Sequence, residues 1–486
     1  MISTKIKPGI AGLFALLLLV SCSNKGPTQT TSTELDKVTA GELSNEQVEN
    51  IVRRSYQYVA MFNVIQKFAL EPSSGSMFMD GFNIPVAATT LADHNVKSIA
   101  RPNNDTFYQG AALDLRHDPI IVKFPVIDSK YVALETSGYA HYVGVPLASS
   151  EGDFKKPTNV LFYTDRTEGY QGQAIEGVDL IVKADGDIFL AFLRAMPHQT
   201  DPARMARIIQ ELQDVKVVTL SEFQGKPAKD SADAKFPAYG KTEGDVFANN
   251  LLEVMQFIFN RTTFDPNNAM DQALLAAYKP LGVEPGKAFD VTRVAKLDGA
   301  LFREVATEIA RHALEDNMTD PVVLARVMPQ LFMPKGQIDL ETLVSQSVTG
   351  PIGLPAHQAR YIPSGTSDGK PLNAQHDYVL RMSKDELPPA TAFWSLTLYD
   401  LKNGFFIPND HKKYSVGENA GFKLNAEGGI EIAISTKKPE GVPNENWLPI
   451  NRGDINLDAL FRIYVPDTKK MKIWKTPQFE MLPNSK

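Results

Sequence analysis

The sequence predicts an α+β protein, a mixed N-terminal domain with a helical segment followed by a C-terminal antiparallel sandwich, and three observations carry this. At 486 residues the chain exceeds what one compact core holds, and 43% apolar with 22% charged residues is an ordinary globular composition. Much of the first two-thirds spaces its apolar residues three and four apart, the period of an amphipathic helix. The last third instead carries short alternating runs between turn residues, the pattern of sandwich strands.

The most strongly patterned stretch is Ala392-Phe393-Trp394-Ser395-Leu396-Thr397-Leu398-Tyr399-Asp400, followed by Lys402-Asn403-Gly404 and Phe405-Phe406-Ile407. Aromatic, β-branched and small residues alternate along it, so it reads as a core strand buried on both faces, with Asn-Gly supplying the hairpin turn.

Residues 1–21 read as a signal segment, 22–44 as a flexible tether, 45–350 as the N-terminal α+β domain with its helical part and 351–486 as the sandwich, the boundary falling near Ser345 to Pro355. Lys5 and Lys7 precede the apolar run Ile10 to Val20, and Leu19-Val20-Ser21-Cys22 follows. That run spans only half a bilayer at about 1.5 Å per residue, so a membrane-crossing anchor is the weaker reading. The segment resembles the bacterial lipoprotein signal. The resemblance implies an acyl chain on Cys22, a membrane partner held through that lipid and a cell-envelope address. Ser23 rather than Asp after the cysteine favours the outer membrane, facing periplasm or surface. Cys22 is the single cysteine, which excludes an intramolecular disulfide and a cysteine metal site.

Ser44-Asn45-Glu46-Gln47 is a capping signal for a helix with apolar positions Val48, Ile51, Tyr56, Val59, Met61, Phe62, Ile65 and Phe68, which Pro72 ends. Arg101-Pro102-Asn103-Asn104-Asp105-Thr106-Phe107-Tyr108, Ile120 to Phe124 and Tyr131 to Val145 read as an antiparallel meander with turns at Asp118-Pro119 and Ile127 to Lys130. Strands follow at Asn159 to Tyr163 and Val178 to Ala184, then helices at Asp201 to Leu212, Asp245 to Phe259, Asn268 to Tyr278 and Ala295 to Leu314. Asn-Asp-Thr-Phe-Tyr, the strand pair ending in Val145, Phe192-Leu193-Arg194 before an Asp-capped helix, and Leu281-Gly282-Val283-Glu284-Pro285-Gly286 resemble the family catalogued as domain of unknown function 1254. Phe-Trp-Ser-Leu-Thr-Leu-Tyr-Asp and Asn446-Trp447-Leu448-Pro449 resemble its partner domain, 1214. Together the two resemblances imply an α+β N-terminal domain joined to a jelly-roll-like sandwich.

A net charge of −7 argues against nucleic acid, which needs a basic face. The eight histidines show neither His-Glu-x-x-His nor His-x-His spacing, so no metal is expected. No phosphate loop or dinucleotide fingerprint occurs, so no cofactor is expected. Gly365-Thr366-Ser367-Asp368-Gly369 matches a hydrolase nucleophile elbow, but without a buried strand before it or a helix after it a polar loop is the better reading. The candidate ligand-binding residues are Arg101, Asn104, Asp105, Tyr108, Asp368, Trp394 and Trp447, the aromatic ones because such rings stack on sugars and other flat ligands. For the tryptophans the competing role is core packing, and for Asn104, Asp105 and Tyr108 a capped turn.

The expected function is that of a lipid-anchored envelope protein that binds a small molecule or glycan between its two domains. The alternatives are a hydrolase using Asp105 or Asp368 as acid or base and a structural envelope module. With no other acylation site, Cys22→Ala should abolish metabolic labelling by a fatty acid; labelling as strong as the parent's refutes the lipid anchor.

Overall fold

Ser44 opens the first helix, α1 (Asn45–Leu70), through the reciprocal bonds its Ser-x-x-Gln spacing predicts: Gln47 N–H donates to Ser44 Oγ at 3.3 Å and Ser44 N–H to Gln47 Oε1 at 2.8 Å. This computed structural model describes residues 43–71, 81–97, 99–229, 235–317 and 321–483. The expected signal segment, Cys22 and all but the last two residues of the expected tether lie outside the described residues. From Ser55 to Ala69 helix α1 is buried nearly all round. Its enclosed polar side chains are satisfied only in part, since Gln57 Oε1, Asn63 Nδ2 and Gln66 Oε1 have no partner among the described residues. Ser55 Oγ lies 2.5 Å from Tyr278 Oη, Asn63 Oδ1 accepts from Gly240 N–H at 2.9 Å, and Gln66 Nε2 donates to Tyr139 Oη at 3.1 Å.

Nine strands follow in the N-terminal half: β1 (Val86–Ala88), β2 (Phe107–Asp114), β3 (Ile120–Phe124), β4 (Val132–Gly138), β5 (Val143–Ala148), β6 (Thr158–Tyr163), β7 (Leu180–Lys183), β8 (Ile188–Ala195) and β9 (Lys216–Thr219). They form two sheets, β1-β2-β8-β4-β5, antiparallel throughout, and β7-β6-β3-β9, antiparallel except for the β6–β7 pair. The expected meander over residues 101–146 is therefore corrected. β2, β4 and β5 share one sheet, β3 belongs to the other, and β8 inserts between β2 and β4. The reason lies in β8, whose eight residues are all buried, so it takes a central position rather than an edge. Phe107, Ala111 and Leu113 of β2 and Phe189, Ala191 and Leu193 of β8 face the second sheet, while Tyr108, Ala112, Leu190 and Phe192 face α1 and the other helices.

The helices that follow α1 in the N-terminal half are α2 (Pro202–Gln213), whose Ile208 and Leu212 pack on the side of the second sheet, the one-turn α3 (Leu220–Phe223), α4 (Glu243–Asn249), α5 (Leu251–Phe259), α6 (Ala269–Tyr278), α7 (Gly299–His312), α8 (Pro321–Val327) and α9 (Leu340–Thr349). The helix expected over 245–259 is two, broken at Asn250, whose φ of −153° lies outside the helical range. α9 packs on α1 and is tied to the β4–β5 corner by His141, whose Nδ1 lies 2.7 Å from Ser347 Oγ and whose Nε2 lies 2.7 Å from the Pro351 carbonyl.

The C-terminal half is an antiparallel sandwich. β10 (Ala359–Ser364), β11 (Leu372–Asn373), β12 (Tyr378–Met382), β13 (Ala390–Asp400), β14 (Ser415–Gly417), β15 (Ile430–Ser435), β16 (Trp447–Pro449), β17 (Asn456–Pro466) and β18 (Glu480–Met481) form sheets β10-β17-β13-β14, with β11 also on β17, and β16-β15-β12-β18. Only β15–β16 is parallel. Trp394, Leu396 and Leu398 of β13 and Leu457, Ala459 and Phe461 of β17 meet Leu380, Ile432 and Ile434 in the core between the sheets. The opposite faces of β13 and β17 are buried too, against the N-terminal half. Phe393 stacks on Tyr464 at 4.1 Å, and Tyr131 packs on both at 5.6 and 5.1 Å. The overall class is α+β, as expected.

Burial pushes the His141 imidazole down from 6.5 to about 4, against its bond to Pro351. The folded protein therefore holds it neutral while the unfolded chain takes up its proton first. Its contribution is complete above pH 6.5 and is lost as pH falls towards 4, a span of about 3 kcal/mol. His141 has a φ of 61°, which Asn tolerates, so His141→Asn is the matching non-titrating variant. In urea unfolding across pH, the advantage of wild type over this variant should shrink by about that amount on acidification; an advantage that stays level refutes the assignment.

Candidate functional site

Register brings the polar residues of two sheets face to face. Tyr108 of β2 pairs directly with Arg194 of β8, and the guanidinium carbon sits 5.4 Å from the tyrosine ring centre. On the other side of β8, Ala133 of β4 pairs with Arg194, so Glu135 is its diagonal neighbour on the same face. Arg194 Nη2 donates to both Glu135 oxygens, at 2.8 and 2.9 Å. Burial raises the Glu135 carboxyl above its usual range and the arginine charge pulls against this. In the sandwich, Arg462 of β17 lies between Tyr361 of β10 and Ser395 of β13.

The segment before β2 is clamped onto this second face. Gly404, with φ +68°, lets the chain come close: a Cβ there would meet Ala100 Cβ at 3.1 Å and Arg101 N at 3.2 Å, and Arg101 N–H donates to the Gly404 carbonyl at 2.7 Å. Arg462 Nη2 donates to the Arg101 carbonyl at 2.9 Å and Tyr399 Oη to the Pro102 carbonyl at 2.6 Å. Asn103 Nδ2 donates to Tyr464 Oη at 2.8 Å, and Tyr464 Oη donates in turn to Asp105 Oδ2 at 3.1 Å, which Ser395 Oγ also reaches at 2.5 Å. Burial pushes the Asp105 carboxyl up, against Arg462 and the hydroxyl donors.

Beside the clamp lies a cavity of about 450 Å³. Arg101, Asn103, Tyr108, Arg194, Tyr361 and Arg462 supply much of its polar lining, and Leu331, Phe332, Ile352 and Leu460 much of its apolar wall. Leu314 and Lys402, both exposed, mark its mouth. Arg101 is paired with Asp458 through Nε at 2.7 Å.

Of the residues singled out in the sequence, Arg101 and Tyr108 line this cavity. Asn104 and Asp105 stand beside it, in the clamp, where Asn104 Oδ1 accepts from Ser415 Oγ at 3.1 Å. The other three do not belong to the cavity, which corrects their grouping into one interdomain site. Asp368 lies in the loop between β10 and β11, bonded to Thr366 Oγ1 at 2.5 Å and to Lys370 Nζ at 2.8 Å, partners that hold its carboxyl below the usual range. Trp394 fills the sandwich core against Phe422 at 4.9 Å, because position 394 falls on the inner face of a strand whose odd positions face the N-terminal half. Trp447 packs with Ala433 and Val442 and donates its Nε1–H to the Ser435 carbonyl at 3.1 Å. Sequence reasoning missed Arg194, Arg462, Tyr361 and Glu135. The available signal was one cation flanked by apolar residues in each of two strands, Phe-Leu-Arg at 192–194 and Phe-Arg-Ile at 461–463.

Asp105→Asn keeps an acceptor for the Ser395 and Tyr464 hydroxyls and should cost about 1 kcal/mol in urea unfolding, whereas Asp105→Ala strands both and should cost about 2–4 kcal/mol. Equal losses in the two variants would falsify the role of Asp105 as a shared acceptor.

Residues 82–218 match the family described as Protein of unknown function (DUF1254), and residues 358–468 match Protein of unknown function (DUF1214). No curated protein matches the chain. Among solved structures, the VPA0106 protein from Vibrio parahaemolyticus is similar at 22% identity, over 90% of this chain and 100% of that one, with a TM-score of 0.65, which shows a shared fold. A putative uncharacterized protein from Burkholderia cenocepacia matches at 12% identity over 90% of this chain and 93% of its own, with a TM-score of 0.41. The chain thus carries a DUF1254 region followed by a DUF1214 region, with the clamp and the cavity built between them.

Proposed function

We propose that this protein binds a small molecule in the cavity between its N-terminal half and its sandwich, and that it does so at the cell envelope, anchored through an acyl chain on Cys22. The cavity carries the reading. Its volume of about 450 Å³ falls within the ~300–1,000 Å³ typical of ligand sites, and it combines an apolar wall with a few convergent polar groups. A small molecule fits better than a glycan, because Trp394 and Trp447 lie in the sandwich, away from the cavity. Binding is also favoured over hydrolysis. The carboxylates lining the cavity, Asp458 and Glu315, are bonded to Arg101 and Arg311, while Asp105 serves the clamp and Asp368 an exposed loop. The position of Cys22 after its apolar run supports the anchor, and Ser23 supports an outer-membrane address.

Ile352 is half-buried on the cavity wall, so a larger side chain there fills the cavity while retaining an exit to solvent. The neutral fluorophore N-phenyl-1-naphthylamine should bind the full chain at one site per molecule, and Ile352→Trp should weaken it at least tenfold at unchanged folding. Undiminished binding by the variant places the fluorophore elsewhere and removes the support for this reading.

A further inference from the structure

We infer that the cavity selects an organic anion, an amphipathic carboxylate whose head group is held by the guanidinium of Arg462; this rests on the small-molecule reading above. Arg462 and Arg194 both line the cavity and are 3% and 2% exposed. Arginines buried to this degree ordinarily have their donors spent, since each stranded N–H carries its full desolvation cost. Here the donors are only partly spent. Arg462 uses Nη2 on the Arg101 carbonyl, and its Nε and Nη1 have no acceptor among the described residues. Arg194 uses Nη2 on Glu135, and its Nε has none.

The charges around the cavity say which arginine lacks a paired carboxylate among the described residues. Arg101 is matched by Asp458, Arg194 by Glu135, and Glu315 by Arg311. Lys402 stands in the solvent at the mouth. Facing Arg462 is Asp105, but among the described residues no carboxylate oxygen comes within ion-pair distance of its guanidinium, and Asp105 Oδ2 is engaged by two hydroxyls. The side chain therefore offers Nε–H and Nη1–H donors with no paired carboxylate. Nε–H and Nη1–H point to opposite edges of the guanidinium, so one carboxylate meets either of them together with the second N–H of Nη2, and the planar fork still favours the paired oxygens of an anion. Leu331, Phe332, Ile352 and Leu460 then provide for an alkyl or aryl body.

The test compares three displacers of bound N-phenyl-1-naphthylamine that share one ten-carbon chain: decanoate, decanol and decylammonium, all with the full chain. Decanoate is expected to displace at a concentration at least tenfold below decanol, with decylammonium weakest. Arg462→Met should bring decanoate and decanol together, and Arg462→Lys, which keeps the charge but loses the fork, should retain part of the gap. Should Arg462→Met fail to fold, the wild-type series and Arg462→Lys still decide. Equal displacement by all three leaves the binding reading standing and overturns the anion assignment. The same holds if decylammonium is best. A gap that persists in Arg462→Met overturns the role of Arg462. If wild type binds neither the fluorophore nor any of the three chains, the binding reading fails and the anion assignment with it.

Discussion

Burial of the β13–β17 strand pair on both faces is the constraint on which the rest of the structure depends. Even positions of β13 and odd positions of β17 build the sandwich core, while Phe393, Ser395 and Tyr399 and their partners Tyr464, Arg462 and Asp458 build the contact with the N-terminal half. Each large side chain buried this way contributes about 1.5–3 kcal/mol, so folding of the sandwich and docking of the N-terminal half draw on the same two strands. A one-residue slip in this ladder would exchange the two faces and put Arg462 into the hydrocarbon core.

The second face is polar where a sandwich core would be apolar, and the clamp at Arg101 to Asp105 makes that tolerable. Its backbone carbonyls accept from Arg462 and Tyr399, and its side chains answer Tyr464, Ser395 and Ser415. The clamp can reach these partners because Gly404 has no side chain where Ala100 and Arg101 pass. A network of this kind adds less net stability than an apolar contact of equal area, since every group in it was hydrated before folding. What it adds is registry: the loop has one position in which its donors and acceptors are matched, and that position fixes the cavity beside it.

Local signals were legible in the sequence and long-range pairing was not. The Ser44 capping box, the Asp201-Pro202 helix start and the two-faced alternation of β13 act over a few residues, and each has the structure its residues predict. The break at Asn250 was hidden because apolar spacing continues across it, so periodicity alone joins α4 to α5. The two N-terminal sheets were misread as a meander because β8, distant in the chain, takes the place between β2 and β4 that a meander gives to a neighbour. In the site, Arg101 and Tyr108 belong to a conspicuous polar cluster, whereas Arg194 and Arg462 are single cations in mostly apolar strands. Their significance comes from which face of the sheet they occupy, a property of register that composition does not reveal.

Register also explains why a ligand in this cavity would be coupled to the docking of the two halves. Arg194 belongs to a strand of the N-terminal half and Arg462 to a strand of the sandwich, and Tyr361, the cross-strand partner of Arg462, has both arginines near enough to perturb its hydroxyl. A molecule filling the space between them touches both halves at once. It would not bind an undocked sandwich with the same affinity, because half of its contacts would be missing. By mass action such a ligand stabilises the docked state in proportion to the logarithm of its concentration over its dissociation constant. The partly spent donors of Arg462 are then a cost the free protein carries at a place where a bound molecule could offset it across the boundary.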